Sequence, residues 1–279
     1  MTTEEQRDQP VILTIAGFDP SGGAGIIADV KTFVGFDCTP TAAITSLTFQ
    51  NSEGVFGAIH ESAESLRAQI LPIVQEFRIA AIKTGMLPKR EMVLEVARLI
   101  REMNLPAPVV DPVWRSTSGY ELIEAGVMDV LMVELMPLAR VITPNITEAE
   151  KLTNLRIEDE AGMRAAASNL REQGARAVLI KGGHLEQRSE VGDQRSALGS
   201  SEGSDQAIDV LDDEGNVTVF RGEWIDTPPV RGTGCMLSSA IAACLGKGVK
   251  LKDSVGLAKQ FVADAIRYSQ EMGPESVIL

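Results

Sequence analysis

Residues 11–26 read Val11-Ile12-Leu13-Thr14-Ile15-Ala16-Gly17-Phe18-Asp19-Pro20-Ser21-Gly22-Gly23-Ala24-Gly25-Ile26, an apolar run followed by a glycine-rich turn. The apolar run predicts a strand that is buried on both faces, as in a parallel sheet. Ile26, Val30 and Phe33 then recur at helical spacing, which predicts a helix with one buried stripe. A strand, a glycine-rich loop and a helix in this order indicate a small-molecule site at the carboxyl end of the strand.

Strand and helix alternate through the rest of the chain. Apolar runs predict further strands over 40–49, 79–83, 108–113, 141–145 and 176–180, and amphipathic stretches between them predict helices. Segments 207–211 and 217–220 flank a polar turn, which predicts a β-hairpin. This order implies an α/β fold with a mostly parallel sheet and helices on both faces.

No repeat or break in composition divides the 279 residues, so we expect a single domain that spans 1–279. Residues 1–10 are polar, which predicts a flexible tail without a secretory signal. Residues 186–206 are rich in Ser, Gly and Gln and predict a long polar loop that is either a lid or disordered.

The net charge is −13, from 26 basic and 39 acidic side chains. This excess of negative charge argues against a nucleic-acid or anionic-membrane surface, and no apolar run is long enough to span a membrane. Cys38, Cys235 and Cys244 have neither metal-ligand spacing nor an even disulfide framework, which fits a reducing cytoplasm. A protein of this charge must bind anionic phosphate locally, through helix ends, Mg²⁺ and a few cations.

A second glycine-rich segment, Arg231-Gly232-Thr233-Gly234-Cys235, precedes an apolar helical stripe. The first amides of a helix have no internal partner, and together with the helix dipole they bind anions. Cys235 would lie in this first turn, where the pKa of a thiol is lowered toward the thiolate. One interpretation is a phosphoryl-transfer site in which the amides bind the transferring phosphate and Cys235 faces the substrate hydroxyl. The other is a tight turn into a buried helix with a core cysteine.

Two common nucleotide-binding motifs are incomplete in this chain. The P-loop pattern requires Gly-Lys followed by Ser or Thr, and no such sequence occurs. The segment Gly23-Ala24-Gly25-Ile26-Ile27-Ala28 matches a dinucleotide fingerprint, but it begins too far from the preceding strand, and no acidic residue ends the next strand. A nicotinamide-dependent dehydrogenase is therefore disfavoured.

Polar side chains follow several of the predicted strands, where parallel strands place them at one edge of the sheet. Asp111, Asn145 and Glu148 could hold Mg²⁺ directly or through water, and Lys181 could contact phosphate. Each has a structural alternative. Glu148 could complement a helix dipole, Asn145 could be a turn residue after proline, and Lys181 could be a solvated lysine at a strand end.

Six motifs occur together in a specific order along the chain. They are Ala16-Gly17-Phe18-Asp19-Pro20-Ser21-Gly22-Gly23-Ala24-Gly25-Ile26, Lys83-Thr84-Gly85-Met86-Leu87, Val110-Asp111-Pro112-Val113, Ile142-Thr143-Pro144-Asn145, Lys181-Gly182-Gly183-His184 and Gly232-Thr233-Gly234-Cys235. With them, the chain resembles the hydroxymethylpyrimidine/phosphomethylpyrimidine kinase family of the ribokinase-like superfamily over about residues 11–270.

The resemblance implies a ribokinase-like three-layer αβα sandwich and an enzyme that uses ATP and Mg²⁺. It also implies phosphorylation of 4-amino-5-hydroxymethyl-2-methylpyrimidine, and then of its monophosphate, in thiamine biosynthesis. By the matching motifs, the pyrimidine pocket would be lined by Gly17, Asp29, Gln50 and Met86. The residues serving Mg²⁺ and the ATP phosphates would be Asp111, Glu148, Thr143, Asn145, Lys181 and Thr233. The catalytic loop would contain Arg231, Gly232, Gly234 and Cys235, with Cys235 as the base toward the substrate hydroxyl.

Two positions depart from the family pattern. Arg231 stands where many members have histidine, and Trp114 stands where members usually have methionine. These departures bear most on the second phosphorylation, and Arg231 leaves open a non-catalytic pyrimidine-binding module. A pyridoxal kinase of the same superfamily is a rival, because it shares the fold, the Gly-Thr-Gly-Cys motif and a hydroxymethyl acceptor. Val55, Phe56 and Ile59 form an apolar segment that would suit a homodimer.

Overall fold

The computed structural model describes residues 9–116, 119–183, 206–225 and 230–272. Most of the predicted tail over 1–10 and of the predicted polar loop over 186–206 lies outside the described residues. The two interpretations of that loop, a lid or a disordered segment, therefore stay predictions.

The described residues form one nine-stranded sheet. In chain order its strands are β1 (Val11–Phe18), β2 (Thr39–Gln50), β3 (Val55–His60), β4 (Ile79–Thr84), β5 (Val109–Val110), β6 (Val141–Ile142), β7 (Ala177–Lys181), β8 (Gln206–Asp213) and β9 (Asn216–Glu223). They are arranged side by side as β3-β2-β1-β4-β5-β6-β7-β8-β9. The strands from β2 to β7 in this order run parallel, whereas β3 at one edge and β8 and β9 at the other are antiparallel to their neighbours.

Helices cover both faces of this sheet. They are α1 (Gly25–Gly35), α2 (Ala63–Glu76), α3 (Arg90–Glu102), α4 (Val127–Val130), α5 (Ile146–Thr153), α6 (Glu160–Glu172), α7 (Thr233–Gly246) and α8 (Leu251–Met272). A π-helical turn over Leu131–Leu135 and a 3₁₀ turn over Met136–Leu138 extend α4. Within the described part of the chain, no helix is both long and apolar enough to cross a membrane.

Two separate hydrophobic cores show that the protein has three layers. Adjacent residues Ile12 and Leu13 of β1 belong to different cores, because successive side chains of a strand point to opposite faces. Ile12 packs in the core formed with α1, α7 and α8, whereas Leu13 packs in the core formed with α2 to α6. The predicted αβα sandwich with a mostly parallel sheet is confirmed.

Two predicted strands are shorter than expected, for a common reason. The strand predicted over 108–113 contains only Val109–Val110, and the one predicted over 141–145 contains only Val141–Ile142. Pro112 and Pro144 follow them closely, and proline has no N–H group to donate to the ladder. Beyond these short strands the pairing continues as isolated contacts, such as the bridge between Asn145 and Lys181, at the edge where the carboxyl ends of the parallel strands meet.

Candidate active site

The amino terminus of α7 is held by direct backbone contact with the loop that follows β1. Gly232 has a φ of 80°, and a Cβ atom added there would lie only 2.0 Å from the carbonyl oxygen of Gly23. Gly25 has a φ of 58°, and a Cβ atom there would lie 2.2 Å from the carbonyl oxygen of Gly17. Only glycine satisfies both the left-handed conformation and the close approach. The two glycine-rich segments of the sequence therefore form one packed unit.

A glycine substitution tests this packing. We expect Gly232→Ala to lower the free energy of unfolding by about 2–4 kcal/mol, because the methyl group would meet a backbone oxygen in a strained conformation. Gly248→Ala is the matched control, since Gly248 has a φ of 81° but no atom within 4 Å of its Cβ position. That control should cost about 1 kcal/mol through backbone conformation alone. Equal losses for the two variants in urea denaturation would contradict the proposed contact.

A cavity of about 420 Å³, open mouth included, lies at the carboxyl ends of β1, β2 and β4. Its walls are mostly apolar or backbone, and they are formed by Ala16, Gly17, Phe18, Asp19, Ala24, Gly25, Thr48, Gln50, Lys83, Gly85, Met86, Val113, Leu122 and Cys235. Three of the four residues predicted for the pyrimidine pocket, Gly17, Gln50 and Met86, are among them.

Asp29, the fourth predicted pocket residue, lies behind the cavity wall and not in it. Its carboxylate is fully buried and accepts two hydrogen bonds from Lys83 Nζ, at 2.8 and 2.9 Å. The hydroxyl groups of Thr14 and Ser239 donate further hydrogen bonds to it, at 2.6 and 2.7 Å. Lys83, the partner of Asp29, lines the cavity instead. It belongs to one of the six motifs, but no role was predicted for it.

Cys235 lies in the first turn of α7 and lines the cavity, as predicted. The prediction that its pKa is lowered is wrong for the protein without ligands. Burial raises the pKa of the Cys235 thiol, and Asp111 and Asp29 add to this, whereas Lys83 and a backbone hydrogen bond from Gly25 oppose it. Desolvation of the thiolate thus outweighs the attraction of the nearby Lys83 ammonium.

A second buried charge pair lies on the other side of the α7 terminus. Lys181 Nζ donates a hydrogen bond of 2.7 Å to Asp111 Oδ1, and Thr143 Oγ1 donates one of 3.2 Å to the same oxygen. A Cβ atom added to Gly234 would lie 3.3 Å from Lys181 Nζ, so the ammonium contacts the glycine that precedes Cys235. Burial opposes the charge of Lys181, but Asp111 and Glu148 outweigh it and raise the pKa of this lysine.

Asn145 and Glu148 form a complete capping box at the start of α5. The Asn145 side chain accepts a hydrogen bond from the Glu148 amide at 2.9 Å, and the Glu148 carboxylate accepts one from the Asn145 amide at 2.8 Å. Glu148 lies in the first turn of α5, as its structural alternative predicted, whereas Asn145 caps the helix and is not a turn residue. Burial raises the pKa of Glu148 to about 7, helped by Asp111 and opposed by Lys181. The capping box leaves Glu148 near Asp111. The capping role therefore does not exclude the predicted role of Glu148 in binding Mg²⁺.

This shift predicts how stability depends on pH. Glu148 takes up its proton more readily in the folded protein than in the unfolded chain, so its charge costs folding free energy as pH rises from about 4.5 to about 7. Glu148→Gln keeps a side-chain oxygen for the capping box and has no charge to bury. We expect it to raise the free energy of unfolding by about 1–3 kcal/mol at pH 8 and by little at pH 4.5. Urea denaturation at both pH values measures this difference. A variant less stable than the unmodified protein at pH 8 would contradict the prediction.

The described residues contain no group of three or more His, Cys, Asp or Glu side chains that could hold a metal ion. Asp111 and Glu148 alone supply two carboxylates, which are oxygen ligands of the kind Mg²⁺ prefers. Mg²⁺ also keeps several waters and is usually bound together with substrate phosphates. The predicted pair therefore fits Mg²⁺ bound with a nucleotide, but not a metal cage made by protein alone.

Arg231 links three segments on the cavity side of α7. Its guanidinium donates hydrogen bonds of 3.2 Å to Ser21 Oγ and to Asp19 Oδ2, and another to the carbonyl oxygen of Asn51. Arg231 therefore joins the loop after β1 to the end of β2. Thr233 is the first residue of α7 and is half-buried beside it.

Trp114, the other departure from the family pattern, lies between two cations. Arg115 lies 4.1 Å and Lys151 3.6 Å from the centre of its ring, an arrangement stabilised by cation–π attraction. The Trp114 backbone also donates a hydrogen bond to Glu148. These contacts fix the loop after Asp111 beside the capping box.

The chain is similar to known proteins over most of its length. The phosphomethylpyrimidine kinase family profile matches residues 19–278. The hydroxymethylpyrimidine/phosphomethylpyrimidine kinase of Streptomyces coelicolor is 38% identical over 264 residues, which cover 95% of this chain and 91% of that protein.

Solved structures are similar to this chain as well. A phosphomethylpyrimidine kinase from Clostridium difficile superposes with a TM-score of 0.76 at 34% identity, covering 92% of this chain and 100% of its own. An ADP complex of Bacillus subtilis pyridoxal kinase superposes with a TM-score of 0.80 at 33% identity, covering 96% and 95%. The fold is thus ribokinase-like, and the chain belongs to the phosphomethylpyrimidine kinase family, a family of phosphotransferases.

Proposed function

We propose that this protein transfers the γ-phosphoryl group of ATP to the hydroxymethyl group of 4-amino-5-hydroxymethyl-2-methylpyrimidine, and then phosphorylates the resulting monophosphate. The observation that carries the proposal is the position of Cys235. This thiol lines a small cavity, while the adjacent Gly234 contacts the ammonium of Lys181. A base therefore lies between a site for a small acceptor and a cation suited to a phosphate donor.

The acceptor would bind in the cavity with its hydroxyl group toward Cys235. Met86, Val113 and Leu122 offer apolar contact to a heteroaromatic ring, and Gln50 offers an amide for a ring nitrogen or amino group. The reaction forms a bond between the acceptor oxygen and the γ-phosphorus and breaks the bond between that phosphorus and the bridging oxygen of ADP. Cys235 accepts the hydroxyl proton.

Charge on the transferred phosphoryl group would be stabilised by the start of α7. The amides of residues 233–235 have no partner in the first turn of the helix, and Lys181 adds a positive charge beside them. Positioning and electrostatic stabilisation of this kind dominate phosphoryl transfer. Thr143 and Thr233 supply hydroxyl groups on the same side.

Asp111 and Glu148 would hold Mg²⁺ together with the nucleotide. Bound there, the ion would neutralise charge on the β- and γ-phosphates. Lys181 keeps Asp111 oriented, and the backbone amides of Asn145 and Trp114 keep Glu148 oriented.

We also propose a homodimer in a cytoplasmic protein. Large apolar side chains of β2 and β3 remain exposed, namely Leu47, Phe49, Phe56 and Ile59. Phe56 is 67% exposed, and a group of exposed apolar side chains on two paired strands is a feature of interaction surfaces. Sedimentation equilibrium measures the state directly, and a monomer at micromolar concentration would contradict the dimer.

A coupled assay for ADP release tests the choice of acceptor. It offers the hydroxymethylpyrimidine, its monophosphate and pyridoxal separately, each with Mg²⁺ and ATP. We expect turnover of both pyrimidine species and a much smaller kcat/KM for pyridoxal. The rival is a pyridoxal kinase, favoured by the similarity to the Bacillus subtilis enzyme, and a strong preference for pyridoxal would select it. Tight pyrimidine binding by calorimetry without any ADP release would indicate a binding module.

A further inference from the structure

A lysine with no assigned role lies at the floor of the cavity. Lys83 is fully buried, which is rare for lysine unless its charge is paired. Its ammonium is 2.8 and 2.9 Å from the two oxygens of Asp29. Burial opposes this charge, but the attraction of Asp29 outweighs burial and raises the pKa of Lys83. The lysine is therefore a fixed positive charge at every pH at which the protein functions.

The same pair is attached to the helix that carries Cys235. Ser239 lies one helical turn after Cys235, on the same face of α7, and its hydroxyl donates a hydrogen bond to Asp29 Oδ1. Lys83 and Cys235 both line the cavity. A Cβ atom added to Gly85 would lie 2.9 Å from Lys83 Nζ, so the ammonium rests against the backbone of the cavity floor. Cys235, Asp29 and Lys83 thus have a fixed relative position.

Stability does not account for this arrangement. Burying an ion pair costs desolvation free energy, and apolar residues of similar volume are often as stable or more stable in its place. The surrounding residues of β4, such as Ile82, are apolar, as expected for a strand in the centre of a sheet. The charge of Lys83 at such a position therefore indicates a role in the chemistry of the site.

Four charged groups face the thiol of Cys235. Lys83 and Lys181 favour its thiolate, whereas Asp29 and Asp111 disfavour it. Lys181 is hydrogen-bonded to Asp111, on the side proposed for the phosphate donor. Lys83 is the cation within the acceptor cavity itself.

We propose that Lys83, held by Asp29, is a positioning residue whose ammonium stabilises the thiolate of Cys235 so that the thiolate can accept the proton of the acceptor hydroxyl. This inference rests on the proposed role of Cys235 as the base. In the step, the hydroxyl loses its proton to the sulfur, the thiolate becomes a thiol, and Lys83 keeps all three of its protons. The lysine acts through Cys235 and transfers no proton.

Alkylation of Cys235 by iodoacetamide tests this without any substrate, because only the thiolate reacts. The rate is measured from pH 6 to 10, and the Cys235→Ala protein supplies the background from Cys38 and Cys244. We expect Lys83→Met to slow alkylation at pH 8 about tenfold and to move the midpoint upward by about one pH unit, since one unit is a factor of ten in thiolate population. The pH profile of kcat should move in the same direction while KM for the acceptor changes little.

A second variant keeps the test decisive if Lys83→Met fails to fold. Asp29→Asn leaves the buried Lys83 without the carboxylate that keeps it charged, so it should also slow alkylation at pH 8, because Lys83 acts on the thiol more strongly than Asp29 does. A purely structural pair would instead make both variants react faster, because loosened packing exposes the thiol. Unchanged or faster alkylation in folded variants would overturn the inference. Failure of the acceptor assay is a separate result, because alkylation reads the thiol directly.

Discussion

Replacing Cys235 by alanine is expected to lower kcat by about 10²–10⁴-fold, the range typical of losing a general base. KM for the pyrimidine should change little, because the cavity walls made by Gly17, Gln50 and Met86 remain. In the unmodified enzyme, kcat should rise as pH increases above neutrality, since burial raises the pKa of this thiol and its thiolate forms only at higher pH. The variant should lose that rise along with its turnover.

Cys244→Ala is the matched control for this experiment. Cys244 lies on the same helix, but it is buried and is not among the residues that line the cavity. Its replacement should leave kcat and the pH profile unchanged at a temperature where the variant is folded. Full activity of Cys235→Ala would mean that the thiol only fills space.

Lys181→Gln is expected to lower kcat/KM for ATP by about 10²–10³-fold, comparable to the loss of one group that stabilises a transition-state charge. The change removes the cation next to Gly234 and leaves Asp111 without its ion-pair partner. Both effects act on the side of the phosphate donor. Steady-state kinetics with ATP varied at a saturating acceptor concentration measure the loss.

The control for Lys181→Gln is Arg171→Gln. Arg171 forms a partly buried ion pair with Asp212, which lies on β8 opposite Val178, and neither residue lines the cavity. Both variants lose an ion pair, so their stabilities should fall alike, but only the Lys181 variant should lose turnover. Equal kinetic losses in the two variants would show that Lys181 acts through stability alone.

The layer arrangement could be predicted from the sequence because its signals are local. Apolar runs such as 11–16 and 176–180 mark central strands, and helical spacing marks the stripes that face them. β5 and β6 are shorter than predicted because Pro112 and Pro144 cannot donate to the ladder. The order of motifs predicts a site at the carboxyl edge of the sheet, and the cavity lies at that edge.

The chemistry of the site was less predictable, because it depends on contacts between distant parts of the chain. Asp29 and Lys83 are 54 residues apart, and no pattern in the sequence pairs them. A lysine after the apolar run of β4 was the available signal for this pair. The pKa of Cys235 also could not be predicted from its helix position, because it depends on burial by the whole fold and on the charges of Lys83, Asp111 and Asp29 from distant segments.

Phosphorus NMR of a single reaction tests the central claim most directly. The protein is incubated with Mg²⁺, ATP and the hydroxymethylpyrimidine, and the phosphorus resonances are followed over time. The account predicts that a phosphate monoester of the pyrimidine appears first, that its diphosphate follows, and that ADP accumulates in proportion to both. Loss of ATP as free inorganic phosphate, or no change in ATP while the pyrimidine is bound, would contradict it.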